Sequence, residues 1–172
     1  MLLGVHHVAI ATADLDRLRD FYCTHLGMEQ VGEAEWEDQP EMDAIVGLAH
    51  SAAKVCLLRA GNFALELFQY AAPKSEGGEQ NRPVNLPGIT HFAFAVHDLE
   101  AEYERLSAVG VRFHGPPPSR DISPEDMAVR AVYGRDPDGN MFELLELVGE
   151  TDFDYLAKRA VWRWPAVERA GA

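Results

Sequence analysis

The sequence predicts an α+β fold built from two tandem βαβββ modules. Three observations predict it. The chain repeats itself: "GVHHVAIATADLDRL" (4–18) aligns with "GITHFAFAVHDLEAE" (88–102), far too long an offset for a solenoid array. Each copy opens on an alternating, β-rich segment that runs straight into a helical pattern. Each copy also closes alike, on "NFALELFQY" (62–70) and "GNMFELLEL" (139–147).

The elements follow in order. Residues 5–11 read as the first strand, and Asp14 as the N-cap of a helix, its short side chain placed to accept from a first-turn amide. Leu15, Leu18, Tyr22 and Leu26 recur at helical spacing, and Gly27 suits the left-handed position that ends the helix. Strands are predicted at 28–36, 53–60 and 62–70, the last two turning at Ala60-Gly61-Asn62. Between them, 37–51 reads as a surface excursion, with Pro40 a possible helix start. The second copy repeats the plan. Asp98 caps a helix marked by Leu99, Tyr103 and Leu106, and Gly110 follows it. Strands are predicted at 111–115, 127–134 and 140–148, with a turn at "DPDGN" (136–140). One domain thus spans 1–150: module 1 at 3–70, a Gly- and Pro-rich linker at 71–87, and module 2 at 88–148. "PPPSRDISPED" (116–126) is a long loop. The tail, 151–172, carries Phe153, Tyr155, Trp162 and Trp164 and is expected to pack on the body or on a partner subunit.

Composition limits the function. The 172 residues are 47% hydrophobic, enough for one core, and the net charge of −13 leaves no basic stripe for nucleic acid or an anionic membrane. Cys23 and Cys56 have neither zinc-ribbon nor CxxC spacing and suit a reducing interior. "MLLGVHHVAIA" lacks a basic n-region and is too short to span a bilayer, so a cytoplasmic location is expected.

Side chains alternate along a strand, which separates the two opening histidines. His7, Ala9 and Ala11 share one face; His6, Val8 and Ile10 share the other. In the repeat, His91, Ala93 and Ala95 share a face opposite Phe92, Phe94 and Val96. The bulky faces should meet the helices, leaving room beside the two histidines. The duplication aligns His7 with His91 and His6 with Thr90, so His7 is selected and His6 is given no role. In the closing strands Glu66 lies between Leu65 and Leu67, and Glu143 between Phe142 and Leu144. A carboxylate inside an apolar strand is costly unless paired or bound to a cation. Glu146, three residues on, faces the other way and is expected to be solvated or near the strand end. Two imidazoles and two carboxylates form a mixed N/O donor set suited to Zn²⁺, Ni²⁺, Co²⁺, Mn²⁺ or Fe²⁺. His25, His50, His97 and His114 have no matching partners and are read as surface or core residues.

These segments, with "HHVAIATADLDRLRDFYCTHLGM", "ALELFQY", "GITHFAFAVHDLEAEYERLSAVGVRF" and "YGRDPDGNMFELLEL", resemble the vicinal oxygen chelate superfamily, the glyoxalase, bleomycin-resistance and dioxygenase group, over residues 3–148. The resemblance implies paired modules whose mixed and antiparallel sheets form a cup around one metal. Ligands would come from the first and last strand of each module: His7, Glu66, His91 and Glu143. It implies a small-molecule substrate, and modules that pair within a chain or across a homodimer.

Glyoxalase I-like members use two His and two Glu-type ligands, and epimerase-like members often carry Gln where this chain has Glu66. The resemblance therefore favours a metal-assisted proton-transfer lyase or isomerase, with Glu66 or Glu143 moving between ligand and base. "YGRDPDGNMFE" (133–143) also resembles the tail of the extradiol dioxygenase signature, with His7, His91 and Glu143 as a two-His, one-carboxylate iron site. Against this, 124–126 reads Pro-Glu-Asp, without the His of that signature, and Glu66 would crowd the iron. A third reading is a metal-free antibiotic-binding module, whose relatives typically lack the ligand set. Arg59, Arg120, Arg130 and Arg135 are candidates for an acidic substrate group, with surface salt pairing the alternative for each.

Overall fold

A computed structural model describes residues 4–75, 81–119 and 129–147. Module 1 comprises β1 (Val8–Ala11), α1 (Leu15–Leu26), β2 (Glu29–Glu37), α2 (Pro40–Val46), β3 (Ala52–Ala60) and β4 (Phe63–Ala72). Module 2 comprises β5 (Phe92–Val96), α3 (Leu99–Ala108), β6 (Arg112–Phe113), β7 (Val129–Arg135) and β8 (Met141–Leu147). Each module forms a four-stranded sheet, β1-β4-β3-β2 and β5-β8-β7-β6. In each, the first strand pairs in parallel with the last and the remaining neighbours are antiparallel. The predicted α+β, twice-βαβββ architecture is what the chain forms. The tail and residues 120–128, including Arg120, lie outside the described residues.

The helix signals act as read. Asp14 accepts from the Arg17 amide at 3.1 Å and Asp98 from the Ala101 amide at 3.0 Å. Gly27 ends α1 at φ 67°, a left-handed conformation that glycine adopts without a Cβ penalty. Leu18, Leu58, Leu65, Leu67, Leu99, Leu106, Phe142 and Leu144 are buried in one core shared by both modules. Each such side chain contributes about 1.5–3 kcal/mol of transfer free energy. That core uses one face of each sheet, leaving the His7/Glu66 and His91/Glu143 faces directed away from it.

Several expectations need correction. β1 begins at Val8, so His6 and His7 stand just before it. Segment 37–51 is more than an excursion: α2 seats Met42 and Val46 against buried Trp36, Ala53 and Val55. The predicted strand at 111–115 is reduced to two residues. Glu146 is not solvated. It is buried and accepts from Arg130 Nη1 at 2.6 Å, while the fully enclosed Arg130 also donates to Glu100 and the Pro118 carbonyl. Arg130 is therefore a core residue, not a surface cation.

Candidate metal centre

The parallel pairing of first and last strands builds each half of the site. Ala9 lies opposite Glu66 on β4, and Ala93 opposite Glu143 on β8. An alanine beside each carboxylate leaves space, and the histidine two positions earlier reaches across. His7 Nε2 stands 3.1 Å from Glu66 Oε2, and His91 Nε2 stands 3.1 Å from Glu143 Oε2. The two halves match to the atom name. Two neighbouring ligands on an ion with bonds near 2.1 Å sit about 3 Å apart, so each pair fits adjacent coordination positions.

The four side chains come together two by two. Among the described residues, no group of three or more His, Cys, Asp or Glu side chains is close enough to hold one ion. The halves are partly open, with 35% and 21% side-chain exposure at His7 and Glu66 and 28% and 12% at His91 and Glu143.

The residue before each histidine orients it. His91 Nδ1 lies 2.9 Å from Thr90 Oγ1, and His7 Nδ1 lies 2.6 Å from His6 Nδ1. A ring nitrogen held this way keeps Nε2 turned toward the carboxylate. His6 therefore contacts His7 in module 1 as its aligned Thr90 contacts His91 in module 2, a use that the repeat alignment does not reveal.

The surroundings of the halves differ. Beside Glu66, on the same face of β4, come Phe68 and Tyr70, which pack on Trp36 at ring distances of 6.1 and 6.0 Å. Burial, with the Glu66 charge second, raises the Tyr70 phenol above its ordinary value. Across the hairpin from Glu143 stands Tyr133, its ring 4.8 Å from His91 and 6.2 Å from His114. Module 1 has Leu57 at the corresponding place. The Tyr133 hydroxyl has no hydrogen-bond partner among the described residues. Folding the sequence about the "DPDGN" turn pairs 133 with 143, so this neighbour was legible from the turn alone.

On the opposite face of module 2 the polar groups at the β7–β8 turn pair with one another. Asp136 accepts from buried Tyr22 at 2.8 Å and from Asn140, which fastens the β7–β8 turn to α1. Burial raises the Asp136 carboxyl, and burial followed by the Asp136 charge raises the Tyr22 phenol well above its ordinary value.

Two βαβββ modules, each with an imidazole–carboxylate pair across its first and last strands, define the paired-module class of α+β proteins. Comparison gives the family: the model of the Glyoxalase/Bleomycin resistance protein/Dioxygenase superfamily matches residues 4–144, and the chain belongs to that superfamily. It is 33% identical over 162 residues to a 2-epi-5-epi-valiolone epimerase from Actinomyces sp, covering 88% of this chain and 84% of that protein. It is 28% identical over 142 residues to a probable chloroplastic lactoylglutathione lyase from Arabidopsis thaliana, covering 81% of this chain and 35% of that protein. A glyoxalase family protein from Bacillus cereus shares the fold, with a TM-score of 0.74, 22% identity, and coverage of 87% of this chain and 97% of that one.

Proposed function

We propose that this chain is a divalent-metal-dependent lyase or isomerase that moves a proton on a small oxygenated substrate. His7, Glu66, His91 and Glu143 would hold the metal. The observation that carries the reading is the twice-built pair, Nε2 to carboxylate at 3.1 Å, on the open face of each sheet. The relatives named as an epimerase and a lyase support it. A bound ion would supply Lewis acidity to adjacent substrate oxygens and stabilise negative charge that develops there.

The remaining work falls to the chain's own residues. Glu66 and Glu143 are the proton carriers. One glutamate, as the carboxylate, takes a proton from a carbon next to a carbonyl and becomes the carboxylic acid; it then gives that proton to the neighbouring atom, or, for inversion, the other glutamate starts as the carboxylic acid and delivers its own proton to the opposite side of the carbon. Nothing is oxidised or reduced, and the product is an isomer. Two carboxylates from two modules supply two directions of approach, as inversion requires. His6 and Thr90 keep the imidazoles aimed. The Tyr133 hydroxyl is a donor for a substrate oxygen beside His91. Because each chain presents its donors as separate pairs, the set of four is completed in a homodimer, with module 1 of one copy meeting module 2 of the other.

The test is solvent deuterium incorporation, run with methylglyoxal hemithioacetal, an acyl-CoA epimer and a catechol. Exchange without O₂ uptake is expected, lost in Glu66→Gln and Glu143→Gln. Oxygen uptake on catechol would replace this reading with the dioxygenase one. Protein purified without stoichiometric metal would replace it with ligand sequestration.

A further inference from the structure

A cleft of about 330 Å³ runs between the edge strands β1 and β5, and His91 is part of its wall. Arg82 and Arg135 line the same cleft. Their partners are unusual for this chain. Arg82 donates from Nη1 to the Ile89 carbonyl at 3.4 Å and from Nη2 to the Leu86 carbonyl at 3.3 Å and the Pro87 carbonyl. Arg135 donates from Nη1 to the Gly139 carbonyl at 2.7 Å and from Nη2 to the carbonyl of Arg82 itself at 2.9 Å. No carboxylate pairs with either among the described residues. By contrast Arg17, Arg19, Arg59, Arg105 and Arg130 all have carboxylate partners. The carboxylate in the cleft wall, Asp138, is already held by Arg17 and Thr12.

Carbonyl oxygens fix a guanidinium in place but leave its unit charge standing. Here two such charges are tied to each other through the Arg82 carbonyl, in a protein whose net charge is −13. Each guanidinium has five N–H donors, and the contacts above leave Nε and further N–H groups of both unspent. That is a preorganised fork for an oxyanion.

We propose that this cleft is the anion subsite of the substrate, taking a carboxylate or phosphate group carried on the same molecule whose reacting oxygens face His91 and Glu143. The placement of the reacting oxygens rests on the metal-centred reading, and the anion site on the arginines alone. Of the arginines weighed from sequence, the structure selects Arg135 and adds Arg82, while Glu29 occupies Arg59 and Glu146 and Glu100 occupy Arg130.

Calorimetric titration of the purified protein with inorganic phosphate and, separately, with acetate tests the subsite and distinguishes the two anions. Each is run before and after metal removal. Saturable binding of at least one anion is expected in both states. It should weaken about tenfold or more in Arg135→Gln and in Arg82→Gln, with metal content unchanged. Exposed Arg112→Gln should bind as wild type. Arg135→Lys keeps the charge without the fork, so it should fall between wild type and Arg135→Gln, and it decides the matter if Arg82→Gln fails to fold. Absence of saturable binding by the metal-stripped wild type, or binding that survives Arg135→Gln undiminished, overturns the subsite. Neither result touches the metal reading, which fails instead if wild type holds no metal.

Discussion

Arg130→Met should cost about 3–5 kcal/mol, the scale for leaving a buried charge without its partner. The structure sets that magnitude. The Arg130 side chain has 0% exposure and Glu146 has 7%, and they meet at 2.6 Å across the β7–β8 ladder. Removing the cation takes the Arg130 guanidinium away from a carboxylate buried in the core of module 2. Glu146→Leu alone should cost less, because Arg130 retains Glu100 and the Pro118 carbonyl. The double variant, Arg130→Met with Glu146→Leu, should recover most of the loss, since two apolar groups of similar size replace the pair. With a urea slope near 2 kcal/mol per molar, Arg130→Met shifts the unfolding midpoint down by about 2 M, read by circular dichroism. Metal content at low denaturant should not change, because Glu143 points to the opposite face of β8. A cost below about 1 kcal/mol for Arg130→Met, or a double variant no better than the worse single, would refute the reasoning.

Gly134→Ala should destabilise by about 1–3 kcal/mol in the same assay. An added Cβ would stand 2.7 Å from Phe142 Cζ and 2.9 Å from Phe113 Cε1, inside the core. The raised Tyr22 phenol makes folding pH-dependent on the alkaline side. A raised folded value means its contribution is complete below the unfolded value near 10 and is lost as the pH rises above it, so the urea midpoint should fall there. Tyr22→Phe should flatten that alkaline decline while lowering stability at neutral pH through the lost bond to Asp136. Tyr133→Phe should leave the urea midpoint within about 0.3 M of wild type yet lower kcat by about 10²–10³, because its hydroxyl has no hydrogen-bond partner among the described residues and in the proposed reaction would donate to a developing oxyanion.

Much of this was legible in the chain itself. The duplication exposed both modules, both aspartate caps and both His–Glu pairs, because these depend on spacing within one strand or one turn. Contacts between distant segments were not. Glu146 does point away from Glu143, as its spacing implied, but its partner Arg130 lies on β7 and is shared with Glu100 on α3, and no local pattern announces that meeting. Helix α2 is hard to weigh from sequence because its seven residues pack two half-buried side chains, Met42 and Val46, on a cluster that forms once β2, β3 and β4 are paired. His6 looked idle because its use depends on the rotamer of its neighbour. Arg82 sits in a polar linker, and its position in the cleft comes from the carbonyls of 86–89 that wrap it.

The most direct test of the central claim is the metal content of separated and mixed half-site variants. One chain carries His7→Ala with Glu66→Ala, the other His91→Ala with Glu143→Ala, and both are compared with wild type by elemental mass spectrometry. Wild type should hold about one ion per chain and each variant alone almost none. An equal mixture, unfolded and refolded together, should regain about a quarter of the wild-type content, because half the dimers are mixed and each of those rebuilds one of its two sites. Stoichiometric metal in either variant alone would contradict the account.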